Sequence, residues 1–198
     1  MTNMKGLSLQ DRHAGSLLFA VALFSSGLAP AQSVVTEKSE VHFVSKQMNV
    51  PVDGAFKKFT AAVNFDPSKL DAAKAQFNVD LNSVDLGLPE VNDEVKKPDW
   101  FNTAKFPSAT FASSSLKSLG GNKYEVAGKL TIKGVIKDVT VPFTLTPQAG
   151  GNALVEGAFP IKRLDYKVGE GSWSDTDTVA DEVLIKVRLQ LSGMPAAK

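Results

Sequence analysis

The chain has 198 residues, with 22 Lys plus Arg against 21 Asp plus Glu and no Cys. So near-balanced a charge argues against nucleic acid, which requires a concentrated basic surface. Without Cys there are no disulfides, no thiolate catalysis, no Cys-based metal sites and no lipid-modified N-terminal Cys.

Lys5, Arg12 and His13 form a basic start, residues 16–29 ("SLLFAVALFSSGLA") are apolar, and Ala29-Pro30-Ala31 has the small-x-small form of a cleavage site. The pattern predicts a signal peptide over 1–31, cut before Gln32, and a mature domain over 32–198. The alternative is an uncleaved anchor, but Ser25, Ser26 and Gly27 interrupt a run already short of the roughly 20 apolar residues a span needs. No later stretch is long and apolar enough to cross a membrane as a helix. Loss of the leader removes Lys5, Arg12 and Asp11, so acids and bases balance in a length suited to one domain. A leader of this kind places the protein in the periplasm or outside the cell.

From residue 38 the apolar residues recur with period two, the signal of half-buried strands. The first strand, 38–48, carries Val41 and Phe43 and ends on the polar "SKQM". In "FTAAVNF", Phe59, Ala61, Val63 and Phe65 share a face, and "DPSKLDAAK" follows as a turn with Pro67. "QFNVDLNSV" sets Phe77, Val79 and Leu81 against Asn78 and Asp80. "LPEVNDEVKKPDW" predicts a short helix, with Pro89 at its start, acids early, Lys96 and Lys97 late, and Pro98 as the stop.

The next stretch, "WFNTAKFPSATF", crowds Trp100, Phe101, Phe106 and Phe111 around a bend, where connections are normally polar. Strands then resume. "SATFASSSLKSL" runs to a "GGN" hairpin turn. Tyr124, Val126, Leu130 and Ile132 align in the next strand, and Val139, Val141, Phe143 and Leu145 in the one after. Pro142 falls outside that alignment and implies an edge or a bulge. Val155, Phe159 and Ile161 align next, and the last strand presents Val183, Ile185, Val187, Leu189 and Leu191. Eight strands with short turns and one helix predict an all-β, eight-stranded antiparallel barrel, which removes exposed sheet edges; a two-sheet sandwich is the competing architecture.

Reactive chemistry is sparse. His42 is the only histidine after the leader and alternates with Phe43, which points it to solvent. One His without Cys makes none of the usual zinc sets, and the serines of "ASSS" lie in a strand rather than on a nucleophile turn. Asp175, Asp177 and Asp181 in "SDTDTVADE" are spaced somewhat like calcium ligands, but the Gly and closing Glu of an EF-hand loop are missing, so the segment reads as a solvated loop. The Lys pairs at 57–58 and 96–97 read as solvated faces. No metal, cofactor or catalytic set emerges, and the chain reads as a non-enzyme.

The order "FDPSKL", "NSVDLG", helix, "DWFNTAKFPSATF", "YEVAGKLTIKGVIKDVTVPF", "ADEVLIKVRL" resembles the YceI-like, polyisoprenoid-binding family over about residues 36–192. The resemblance implies a lipocalin-like barrel, usually exported, whose tunnel holds a polyisoprenoid or isoprenoid quinone, with no established catalysis. It leaves room for a homodimer and for a membrane redox or lipid-handling partner. Many members carry a His after the Lys of the first strand; here Lys46 matches and Gln47 stands in its place, able to hydrogen-bond but not to carry charge.

On this reading the tunnel wall comprises Phe43, Phe59, Val63, Phe77, Val79 and Phe111 from the first half, and Val126, Leu130, Val141, Phe143, Val183 and Ile185 from the second. Trp100, Phe101 and Phe106 line or gate it, and Lys46, Gln47 and Arg163 contact a polar head at one mouth. An enzyme acting on a prenyl lipid and a stress-protective or interaction module with a filled core are the competing functions. The leader motif makes the first prediction. The exported protein begins at Gln32, read by N-terminal analysis as Gln or its cyclised form; a mature chain that retains residues 16–29 contradicts it.

Overall fold

The computed structural model describes residues 32–194, so the expected leader and its cleavage after Ala31 fall on residues outside that range. In chain order the strands are β1 (Ser33–Val34), β2 (Glu40–Gln47), β3 (Val50–Phe56), β4 (Phe59–Asn64), β5 (Lys74–Asp80) and β6 (Val84–Asp85). After helix α1 (Pro89–Glu94) come β7 (Ser108–Gly120), β8 (Lys123–Ile132), β9 (Val135–Gln148), β10 (Asn152–Lys162) and β11 (Glu182–Ser192). All pair antiparallel, in the order β4-β5-β7-β8-β9-β10-β11-β2-β3-β6, with β1 beside β11.

That path comes full circle. β3 and β4 are one strand bent at Lys57-Lys58, and β5 and β6 are one strand bent at a 3-10 turn, Leu81–Ser83. The Lys57 N–H donates to Ser83 O and the Asp80 N–H to Lys58 O, which carries the pairing across the bend. The result is a barrel of eight long strands, as the sequence pattern predicts, with the short β1 added. The first half of the bent strand, β3, departs from that pattern, because Pro51, Asp53 and Gly54 interrupt its alternation.

Gly54 has a steric reason. It sits opposite Phe43 in the β2–β3 ladder, and the Phe43 ring lies over it; a Cβ there would fall 2.2 Å from Phe43 Cζ. Gly128 likewise accommodates the Phe111 ring, which a Cβ at that position would meet at 2.6 Å, and Gly157 faces Phe143 across β9–β10. Strand glycines of this kind mark close approach of another group rather than flexibility. Pro142 stands one residue beyond the last β9–β10 pair, where β9 parts from β10 and a missing N–H does least harm.

The expected inner face holds. Val126 is buried, Val63, Phe77, Val79, Val141, Phe143, Val183, Ile185 and Val187 are wholly or partly shielded inside, and Asn78, Lys186 and Arg188 are exposed outside. Period two is strict, so one register slip would turn every one of these side chains to water. α1 has Pro89 in its first turn, and the chain behind it, through Lys97 to Phe106, folds back by backbone bonds from Phe101 to Val95, Asn102 to Lys97 and Thr103 to Lys96. This brings the aromatic bend across one end of the barrel. Among the described residues no helix is long and apolar enough to cross a membrane.

The Phe43–Gly54 contact yields a prediction. Gly54→Ala forces the ring off its strand and costs about 1–3 kcal/mol, the usual range for overpacking. Gly54→Ala with Phe43→Leu recovers part of the loss. Urea unfolding checks both, and equal stability of Gly54→Ala and the parent contradicts the account.

Candidate functional site

The barrel is not filled. A chamber of about 390 Å³ lies under α1 and the aromatic bend. A second, of about 150 Å³, continues toward the other end, where Asn64 and Lys74 pair at the ends of β4 and β5. Val41, Val79, Leu130, Phe159 and Ile185 belong to the walls of both and form a waist between them. The lower chamber is apolar and aromatic: Phe77 and Phe111 meet edge to face at 6.2 Å, and Phe143 stacks on Tyr124 at 5.4 Å. Polar side chains cluster at the upper chamber, with Ser45, Gln47, Glu90, Glu94, Arg163 and Tyr166, whereas Asn64 and Lys74 are the polar residues of the lower chamber, at its far end. An apolar cavity with a few polar groups at one end is the general form of a ligand site.

The roof of the upper chamber is built around Arg163. Its side chain is buried, with 3% of the residue exposed. Nε donates to Ala180 O, Nη1 to Val168 O and Gly169 O, and Nη2 to Trp173 O and Val179 O, at 2.6–3.1 Å. All five guanidinium N–H groups are thus used on backbone carbonyls. Burial pulls the guanidinium below its ordinary pKa, and Asp181 acts in the opposite direction. Gly169, at φ +75°, leaves room for this fork; a Cβ would lie 2.4 Å from Nη1.

The same loop holds the aromatic bend. Gly169 and Glu170 donate their N–H groups to Asp99 O, Trp173 packs on Trp100 at 5.4 Å, and Arg163 lies 5.9 Å from the Trp100 ring. Its other end joins the β2–β3 hairpin through the Ala180 N–H on Lys46 O and the Met48 N–H on Thr178 O. Asp175 and Asp181 serve the loop itself. Asp175 accepts from Thr178 Oγ1 and the Asp177 N–H, which hold its carboxyl below the usual range, and Asp181 accepts from the Leu164 N–H. Burial pushes the Tyr166 phenol up to about 12, with Asp165 adding to the shift. The Trp100 indole N–H is buried without an acceptor among the described residues, a state that costs about 1–3 kcal/mol.

Most expected site residues meet at these walls. Phe43, Gln47, Trp100, Phe101, Val183 and Arg163 line the upper chamber. Val63, Phe77, Phe111, Val126, Val141 and Phe143 line the lower one, with Val79, Leu130 and Ile185 at the waist. Arg163 is there, but with no N–H free for a head group. Three residues stand elsewhere. Lys46 alternates with Ser45 and Gln47, so it shares the outer face of β2 with His42 and Val44 and points to solvent. Phe106 turns away after the left-handed Asn102 and packs on Gly134 at the β8–β9 turn. Phe59 is buried in the packing around Val41, Leu189 and Leu191, outside both chambers.

Sequence reasoning misses Phe56, which joins Phe43 at 5.4 Å and Phe101 at 6.0 Å, because the alternation of its strand is broken. It also misses Glu90, Val91, Glu94 and Val95, whose spacing puts them on one face of α1 over the chamber. That helical spacing is the available signal. Trp173 carries none, since its position depends on the Arg163 fork.

The fork makes a prediction. Lysine in place of Arg163 offers three donors on one nitrogen and cannot span five carbonyls, so Arg163→Lys costs about 2–4 kcal/mol. Amide exchange accelerates across 164–181 and not in β8 or β9. Unchanged exchange in the loop contradicts the assignment.

Comparison with known proteins agrees with this architecture. The sequence matches the YceI-like domain over residues 33–191. Protein YceI of Escherichia coli O157:H7 is 33% identical over 162 residues, covering 77% of this chain and 84% of its own. The crystal structure of Burkholderia cenocepacia BcnA is 52% identical and superposes with a TM-score of 0.77, over 80% of this chain and 99% of that one. A polyisoprenoid binding domain from Saccharophagus degradans, implicated in plant cell wall breakdown, shares the fold at a TM-score of 0.67 and 19% identity, over 83% of this chain and 99% of that one. With the domain match spanning nearly all of the described residues and a relative 33% identical over 84% of its own length, the chain belongs to the YceI-like domain family.

Proposed function

We propose that this protein is an exported, periplasmic or secreted carrier that holds an isoprenoid lipid or isoprenoid quinone in its barrel. The observation that supports it is the two-chambered cavity, with an apolar surface through the waist and lower chamber and a cluster of polar side chains beneath α1. A prenyl chain matches that gradient: the tail fills the lower chamber and the head stays in the upper one. Each buried carbon group contributes about 0.8 kcal/mol, so a few isoprene units offset the ordering cost of binding. The solved domain described as polyisoprenoid binding has the same fold, which adds to the case for this ligand class.

A prenyl-lipid enzyme is the weaker reading. No His lines either chamber, and Ser45 is hydrogen-bonded to no base among the described residues. His42 lies on the outer face beside Glu40.

Organic extraction of the purified protein followed by mass spectrometry tests the reading: a prenyl lipid is released, and the emptied protein rebinds it. Leu130→Trp, which fills the waist, lowers occupancy roughly tenfold without lowering the melting temperature, because the bulk enters empty space. No released lipid together with no rebinding of added prenyl lipids contradicts the carrier; occupancy unchanged in Leu130→Trp contradicts the tail's path.

A further inference from the structure

The charges around the upper chamber differ from those expected of a phosphate site. Anionic heads are held by free, charge-assisted donors from Arg or Lys. Of the side chains lining the upper chamber only Arg163 is cationic, and its five N–H groups are spent on carbonyls. Lys46, the expected cation of the mouth, points outward. α1 brings Glu90 and Glu94 to the same chamber, one turn apart. Glu94 pairs with Lys97, whereas Glu90 is exposed and makes no ion pair or side-chain hydrogen bond among the described residues. Ser45 and Gln47, which also line the chamber, are neutral, and neither side chain is engaged in a hydrogen bond among the described residues.

We infer that the upper chamber selects an uncharged head group, such as an alcohol or a quinone carbonyl, and that Glu90, aided by Glu94, turns away phosphate and diphosphate heads. The inference rests on the carrier reading and adds to it the class of head and the side chains that choose it. Ser45 and Gln47 supply neutral hydrogen bonds to the head. The carboxylates act by like-charge repulsion at the rim of the chamber, which suppresses the wrong ligand rather than strengthening the right one. Glu90 is exposed and Glu94 half-buried on a short helix outside the strands, so they are replaceable without disturbing the barrel wall.

Three probes with one tail separate the terms: farnesol, farnesyl diphosphate and the hydrocarbon farnesene, titrated into lipid-free protein at low salt. Farnesol binds at least roughly tenfold tighter than the diphosphate, a discrimination typical of an uncompensated like charge. Glu90→Gln with Glu94→Gln raises diphosphate affinity roughly fivefold and leaves farnesol within about twofold. Added salt narrows the parent's gap, because it screens the carboxylates. Equal affinity for alcohol and diphosphate, or a gap unmoved by the double substitution, overturns the inference. Farnesene binding with no head discrimination leaves the carrier standing and removes only this claim. Failure of all three probes to bind removes both. Glu90→Gln alone, at a residue without an ion pair among the described residues, provides the same readout should the double variant lose stability.

Discussion

The loop that roofs one end of the barrel depends on one buried guanidinium. Arg163 leaves the end of β10 and converts a connection of some length into a rigid roof by taking five backbone carbonyls from Val168, Gly169, Trp173, Val179 and Ala180. A buried charge is costly unless its donors are all satisfied. Here the satisfaction comes from dipoles rather than from a carboxylate. The choice has two consequences. The roof carries Trp173 to Trp100 and Val179 to the end of β2, so the aromatic bend and the β2–β3 hairpin become parts of one wall. The positive charge is also withdrawn from the chamber it borders, which leaves the polarity of the mouth to α1 and to the neutral end of β2.

Below the roof, the cavity exists because large rings are pressed against the sheet instead of meeting in the middle. Phe43 lies over Gly54, Phe111 over Gly128, and Phe143 beside Gly157. At Gly54 and Gly128 the absence of a Cβ lets the ring sit close to a neighbouring strand, and at Gly157 it leaves room for the backbone and Cβ of the Phe143 strand. Protein interiors pack to high density, so a void down the axis of an eight-strand barrel needs a device that keeps side chains at the wall. The glycine–phenylalanine contacts are that device. They also explain why residues that look like breaks in the strand pattern are where the wall is tightest.

The parts of this structure governed by a simple period are legible in the sequence. Alternation marks the eight long strands, their inner face and the apolar lining from Val63 to Ile185. The helix stop at Pro98 and the aromatic bend are legible because residue types conflict with their context. The misreadings have local causes. β3 is hidden by Pro51, Asp53 and Gly54, though the last is there to receive Phe43. Lys46 falls near the mouth by proximity in sequence to Gln47, but neighbours on a strand face opposite ways. Phe106 groups with Trp100 and Phe101 in sequence, yet a left-handed Asn102 intervenes and sends it to Gly134. Arg163 is located correctly by its sequence position but its role is not, since nothing in a linear sequence says that five carbonyls converge on one side chain.

The central claim is that an apolar chain enters tail first, passes the waist and rests against Phe77, Phe111 and Phe143, with its head beneath α1. Anomalous diffraction from a co-crystal with a prenyl alcohol brominated at its tail end tests this directly. The account places the bromine peak in the lower chamber, between β5, β7 and β9. A bromine peak beneath α1, or on the outer face of the barrel with both chambers empty, would contradict it.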